Sequence, residues 1–292
     1  MRTIPASELI INKDGSVFHL HLKPDQLAET VILVGDPARV ETIASYLDTR
    51  ETEAANREFR TVTGTFRGKR MSVISTGIGT DNIDIVMTEI DALANIDFTT
   101  RTEKPDKRRL TILRLGTSGA LQPDLPLGSL VFARTSAGFD GLLNFYAGRD
   151  EVCDTQLERA FCEHVRWPDT WTAPYFINAD KSLYDLFRNV TTPGITVSAP
   201  GFYAPQGRWV RLQPAFPDMN ARIESFRYGD RVITNYEMES SAIAGLAALM
   251  GHRAGTICTI IAQRIAQESD TDYSPYVTRM IETALDRLSS TD

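Results

Sequence analysis

The sequence predicts an α/β fold built on a mostly parallel sheet. Runs with the β-branched composition of buried strands recur along the chain, at residues 30–35, 110–115 and 256–265. Segments of helical periodicity lie between and after them. At 292 residues with 42% hydrophobic content, the chain can bury one large α/β core or two small ones.

Residues 1–15 read as a lead-in. Val17-Phe18-His19-Leu20-His21-Leu22 alternates, which predicts a short strand with both histidines on one face. No Cys, Asp or Glu cluster joins that pair in sequence, so no metal is assigned to it. The run 30–35 exits through Gly35, Asp36 is a good N-cap, and Pro37 suits the first position of a helix running to about Leu47. Arg39 is left over. A cation in a helix's first turn opposes the dipole unless an anion sits against that N-terminus.

Residues 56–79 read as antiparallel: strand Phe59–Phe66, turn Arg67-Gly68-Lys69, then strand 71–75. Gly77-Ile78-Gly79-Thr80 breaks it, and Asp81 or Asn82 caps a helix to about Leu93. Asn82 stands where a dinucleotide fingerprint would need its third glycine, and the chain has no P-loop. Residues 99–109 form a charged loop. The strand 110–115 then ends in Gly116-Thr117-Ser118-Gly119 beside Arg114, small residues and hydroxyls suited to cradling an oxyanion. Two arginines at strand ends suit a ligand at the carboxyl edge of the sheet.

Further strands are predicted at 128–133 and 195–198, an amphipathic helix at 153–165, and a helix at 181–189 ended by Pro193-Gly194. Phe202-Tyr203-Ala204-Pro205-Gln206-Gly207-Arg208 reads as a loop. It is either an ordinary surface turn or an amide and a guanidinium presented to a planar ring stacked on Phe202. The stretch 235–250, NYEMESSAIAGLAALM, reads as a buried helix with Glu237 and Glu239 in its first turn. Those carboxylates either complement the helix dipole or accept hydrogen bonds at a pocket mouth. Residues 272–288 give a closing helix with Val277, Met280, Ile281, Ala284 and Leu288 on one face.

The formal charge of −7 and pI near 5.3 argue against a broadly basic surface for nucleic acid or membrane. Cys153, Cys162 and Cys258 form no CxxC pair and read as reduced thiols of a cytoplasmic protein. No signal-peptide core and no run of 18 apolar residues occurs.

Five motifs stand in order: Gly-Asp-Pro-x-Arg, Ser-Thr-Gly-Ile-Gly, Arg-x-Gly-Thr-x-Gly, Phe-Tyr-x-x-Gln-Gly-Arg and Glu-Met-Glu-Ser. Together they resemble the nucleoside phosphorylase superfamily, most closely the uridine phosphorylases, over about Val17 to Gln267. The resemblance implies one α/β domain over residues 1–292, a three-layer sandwich whose mixed central sheet is partly barrel-like and flanked by helices. It implies phosphorolysis of a nucleoside to free base and pentose 1-phosphate, with inorganic phosphate as co-substrate and no organic cofactor.

Carried over to this chain, the phosphate site falls on Gly35, Arg39, Arg114 and Thr117, with Arg57 supplied by a neighbouring subunit. The ribose site falls on Glu237, Met238 and Glu239, with His19 supplied across the same dimer interface. The base site falls on Phe202, Gln206 and Arg208. Arg208, Gln206, Glu239 and Arg114 are the expected catalytic residues, and the active unit is a homo-oligomer. Some relatives bind potassium at the interface. The matching positions are Glu58, the Ile78 carbonyl, and Asn82 in place of a serine. Residues 260–264 carry no acid, whereas purine-specific relatives place an aspartate there, so the resemblance favours a pyrimidine base.

Rival expectations are a purine or methylthioadenosine phosphorylase, a hydrolytic nucleosidase, or a nucleoside-binding protein without activity. A nucleosidase has no need of Arg39, Arg57 and Arg114 together. A binding protein would be expected to have lost one of them, or Glu239.

Overall fold

The computed structural model describes residues 2–264, 268–269 and 271–290. In chain order the elements are β1 (Thr30–Val34), α1 (Pro37–Ala44), β2 (Thr49–Asn56), β3 (Phe59–Phe66), β4 (Lys69–Ser75), α2 (Thr80–Asn95), a small hairpin β5 (Ile96–Asp97) and β6 (Thr102–Glu103), β7 (Thr111–Ala120) and β8 (Leu130–Gly138). There follow α3 (Arg149–Val152), α4 (Thr155–Val165), β9 (Tyr175–Asn178), α5 (Lys181–Phe187), β10 (Thr192–Ser198), α6 (Met219–Ser225), β11 (Arg227–Tyr228), β12 (Arg231–Glu237), α7 (Ser240–Met250), β13 (Arg253–Gln263), β14 (Glu268–Ser269) and α8 (Ser274–Ser289).

The main sheet runs β11-β12-β10-β8-β13-β7-β1-β4-β3-β2, and an extra pairing of β12 with β7 closes five of these strands into a barrel. The sheet is mixed. β1 lies parallel to both β4 and β7, while β13 pairs parallel with β7 and antiparallel with β8. Strand β1 shows the three layers directly. Val31 and Leu33 pack into a core shared with α2 and α7, and Ile32 and Val34 into a second core shared with α1 and α8. A third core joins α4 and α6 to β10 and β12 through Phe161, Ile223, Ile195 and Tyr236. No helix among the described residues is long and apolar enough to cross a membrane.

Local chemistry explains α1. The Asp36 side chain accepts from the Ala38 N–H at 2.8 Å, and Pro37 opens the helix, which stops at Ala44 rather than at Leu47. The hairpin between β3 and β4 turns through Arg67 and Gly68, both at positive φ.

Several expectations are corrected. Residues 17–22 form no strand. Val17 makes one isolated bridge to Ile11, and His21 sits in a turn at φ 52°, so the two histidines share no strand face. Helix α2 is capped by Gly79 without a side-chain bond, not by Asp81 or Asn82. The segment 116–120 is not a turn but the second half of β7, held by β13 on one side and by β12 on the other. Pro193 and Gly194 do not end a helix; they begin β10. The stretch 235–250 divides into strand and helix, so Glu237 is the last residue of β12 and Glu239 is the N-cap position of α7. Strand β2, missed by sequence reasoning, is mostly polar and half exposed, and pairing with β3 rather than an apolar pattern makes it a strand. Residue 265, the last of one expected strand, lies outside the described residues.

Candidate active site

A cavity of about 870 Å³ opens where β1, β4, β12 and β13 end beside the second half of β7. Gly35, Arg39, Arg114, Thr117, Phe202, Gln206, Arg208, Glu237, Met238 and Glu239 all line it. Ten residues named from four separate sequence motifs therefore share one wall. Ile78 reaches the same wall. Arg57, His19, Glu58 and Asn82 do not line it.

Arg114 is the centre of charge. It is 4% exposed, its Nη1 lies 3.1 Å from Glu237 Oε2, and its Nη2 is bonded to Glu239 Oε2. Burial opposes the Arg114 charge, but Glu239 and Glu237 outweigh it and leave the guanidinium's pKa raised. Gly116 makes the room: a Cβ there would overlap the Arg114 guanidinium. Burial lowers the pKa of Arg39, and the neighbouring Arg114 lowers it further, as two cations facing one space should. Arg39 Nη1 donates to the Leu115 carbonyl at 3.3 Å.

The two glutamates differ. Glu237 is filled by protein donors: Ser198 Oγ at 2.5 Å, Ser240 Oγ at 2.7 Å, and the backbone N–H groups of Glu239 and Ser240 at 2.9 Å. It caps α7 and anchors Arg114. Among the described residues Glu239 receives the Gly79 N–H at 2.8 Å and Arg114, which leaves lone pairs toward the cavity. Burial raises its pKa and Arg114 pulls it back.

In a second cluster on the lining, Arg208 lies over the Phe202 ring, 3.7 Å from its centroid. Its Nη1 donates to Gln206 Oε1 and to the Phe202 carbonyl, each at 2.6 Å. With its oxygen engaged, buried Gln206 keeps its NH2 for a ligand. Burial, reinforced by Arg264, brings the Arg208 pKa down to about 10, so the group is cationic at neutral pH.

Arg264 is the residue that sequence reasoning missed. It lines the cavity, its guanidinium sits 5.8 Å from the Tyr236 ring centroid, and its Nη1 is buried without a hydrogen-bond partner among the described residues. Its signal was partial: like Arg114 it follows an apolar run, but without the Gly-Thr-Ser-Gly segment that singled out Arg114.

His19 and Arg57 lie outside this lining. Glu89 of α2 holds His19, with Oε1 2.7 Å from Nδ1 and the His19 and Leu20 N–H groups bonded to the same carboxylate. Asn56, beside exposed Arg57, donates to the His19 carbonyl at 2.9 Å. Arg57 adopts φ 54° in the turn between β2 and β3. Glu58 and Asn82 flank Gly77, and Asn82 Nδ2 donates to the Ile78 carbonyl at 3.4 Å.

The sequence model of the phosphorylase superfamily matches residues 29–289. The uridine phosphorylase of Thermococcus kodakarensis is 31% identical over 256 residues, 88% of this chain and 80% of that protein. That of Escherichia coli strain K12 is 30% identical over 263 residues, 87% of this chain and 88% of that protein. Among solved structures, a Trypanosoma brucei nucleoside phosphorylase described as showing uridine phosphorylase activity has a TM-score of 0.88 and 31% identity, covering 97% of this chain and all of that one. A family match over residues 29–289, with relatives 30–31% identical over most of the chain, makes this chain a member of the phosphorylase superfamily.

Proposed function

We propose that this protein catalyses phosphorolysis of a pyrimidine nucleoside, uridine plus phosphate giving uracil plus ribose 1-phosphate. The observation that carries it is one cavity lined by two clusters: Arg39 facing Arg114 with Glu239 bonded to Arg114, and Arg208 bonded to Gln206 over the Phe202 ring. The first cluster suits phosphate and pentose, the second a planar base. The names and reported activity of the relatives at 30–31% identity support the same reading.

A phosphate oxygen attacks the anomeric carbon, the bond to the base nitrogen breaks, and its electron pair leaves with the base, which then takes a proton from water. Arg39, Arg114, Thr117 and the Gly35 N–H orient phosphate as nucleophile. Glu239 accepts from the ribose hydroxyls, and Met238 lies along the sugar. Bound phosphate balances positive charge growing on the sugar, while Gln206 and Arg208 stabilise the negative charge growing on the base. Arg264 adds a second cation to that cluster. The cavity end of β13, residues 260–264, carries no acid to protonate a purine ring. Glu237, saturated by protein donors, fixes Arg114 and the start of α7, and meets ribose only by exchanging one of them.

Arg57 and His19 belong in this proposal to a second subunit's site. Neither lines the chain's own cavity, Asn56 beside Arg57 is bonded to the His19 carbonyl, and with Nδ1 held by Glu89 the His19 Nε2 is the nitrogen that reaches a ligand. A homo-oligomer with shared sites follows. A potassium site at Glu58, Ile78 and Asn82 would require the Ile78 carbonyl to exchange the Asn82 amide for the ion. Three cysteines without disulfides support a cytoplasmic location.

The test is base release from uridine, thymidine and inosine, with and without phosphate, followed by ultraviolet absorbance. Phosphate-dependent release from the pyrimidine nucleosides supports the proposal. Release from inosine alone reassigns the base, release without phosphate makes the protein a nucleosidase, and no release overturns catalysis. Repeating the assay with potassium replaced by tetramethylammonium tests the ion.

A further inference from the structure

The base-end loop is thinly supported from behind. Its far face, at Ala204, Pro205 and Gly207, borders an apolar cavity of about 340 Å³ whose opposite wall includes Trp167, Trp171 and Phe216. A loop backed by empty space has few atoms packed against it to fix its position. Asn220 lines the same cavity and bonds to the loop. Asn220, on α6, donates from Nδ2 to the Gln206 carbonyl at 3.0 Å and accepts at Oδ1 from the Tyr236 hydroxyl at 3.1 Å.

Both ends of this link meet the site. The Gln206 carbonyl belongs to a cavity-lining residue two positions before Arg208, and Tyr236 lines the cavity one residue before Glu237. The amide orientation follows from its partners, since only NH2 can give to a carbonyl and only oxygen can accept from a hydroxyl. Burial keeps the Tyr236 hydroxyl protonated throughout the working pH range. Gly207 permits the close approach: it sits at φ +72°, and a Cβ there would overlap the Asn220 amide.

We infer that Asn220 is a positioning residue for base recognition. It ties the loop that carries Gln206 and Arg208 to the strand that carries Glu237, so that base and sugar are held in one register. The inference rests on the phosphorolysis proposed above. It applies to the base end only, because Arg39, Arg114 and Thr117 receive no bond from Asn220 among the described residues.

The discriminating variant is Asn220→Asp, which keeps size and the Tyr236 bond but turns an acceptor toward the Gln206 carbonyl. Misplacing a reacting group by about 1 Å costs on the order of 10²-fold, so kcat/KM for uridine should fall by ten- to a hundredfold. The KM for phosphate should stay unchanged. The loss should shrink with 5-fluorouridine, whose base leaves more readily and leans less on Arg208. Asn220→Gln, able to remake the donor, should recover part of the activity. In parallel, amide hydrogen exchange at Gly207 and Arg208 should quicken in Asn220→Asp. An Asn220→Asp enzyme with wild-type kcat/KM, or an equal loss on uridine and 5-fluorouridine, overturns the inference. Were the wild type itself inactive, the phosphorolysis reading would fall, and unchanged exchange in the variant would then overturn the positioning role separately.

Discussion

The Arg114 knot can be broken without reference to catalysis. Arg114→Met keeps the unbranched stem of the side chain and removes the guanidinium with its charge. Glu237 and Glu239, 4% and 3% exposed, then share a buried site with no cation bonded to either carboxylate among the described residues. Leaving a buried ionic partner uncompensated costs about 3–5 kcal/mol. With unfolding entropy near 2.1 cal/mol/K per residue over 292 residues, that corresponds to a fall in Tm of about 5–8 °C.

The pH dependence carries a sign. Burial and the neighbouring Glu237 charge raise the folded-state pKa of Glu239 above its unfolded value, and in the variant Arg114 no longer opposes them. The folded variant then binds more protons than the unfolded chain, and its stability falls as pH rises between those values. The deficit against wild type should therefore be larger at pH 8 than at pH 5. Scanning calorimetry of both proteins in phosphate-free buffer measures it. Arg114→Met/Glu239→Gln should regain much of the lost stability and none of the turnover. A variant as stable as wild type at pH 8, or a deficit equal at both pH values, would refute the reasoning.

Three further outcomes are expected. Arg208→Ala should lose about 10²–10³ in kcat on uridine, the usual effect of deleting one stabiliser of developing charge, and steady-state kinetics will show it. Gly116→Ala sets a methyl group against the Arg114 guanidinium, so the KM for phosphate should rise, with about 1–3 kcal/mol of stability lost by calorimetry. Arg57→Ala and Glu239→Gln chains, each inactive alone, should regain activity when refolded together, because a mixed pair rebuilds one intact site. No regain at any mixing ratio would rule out donation of Arg57 between subunits.

Much of the site was legible because its signals are local. Gly35, Asp36 and Pro37 specify a strand exit and helix start from adjacent residues, and Arg39 stood out as a cation that this turn does not explain. The same logic found Arg114, whereas Arg264 follows its apolar run without the Gly-Thr-Ser-Gly segment that marked Arg114. Glu237 was identified as a site carboxylate but given the wrong backbone, because the apolar run that follows it hides the break between β12 and α7.

What the sequence determined by itself is most of the buried strands with their helices, and the residue types that line one cavity. Only the tertiary structure decided that β7 runs on through Gly116-Thr117-Ser118-Gly119-Ala120. Propensity reads those small residues as a turn, whereas barrel closure uses them where β12 and β13 crowd against the same strand. It decided too that Arg114 faces Glu239, 125 residues away in the chain, and that Asn220 braces Gln206 beside a cavity. Such pairings depend on packing between distant segments, and no window of neighbouring residues contains them.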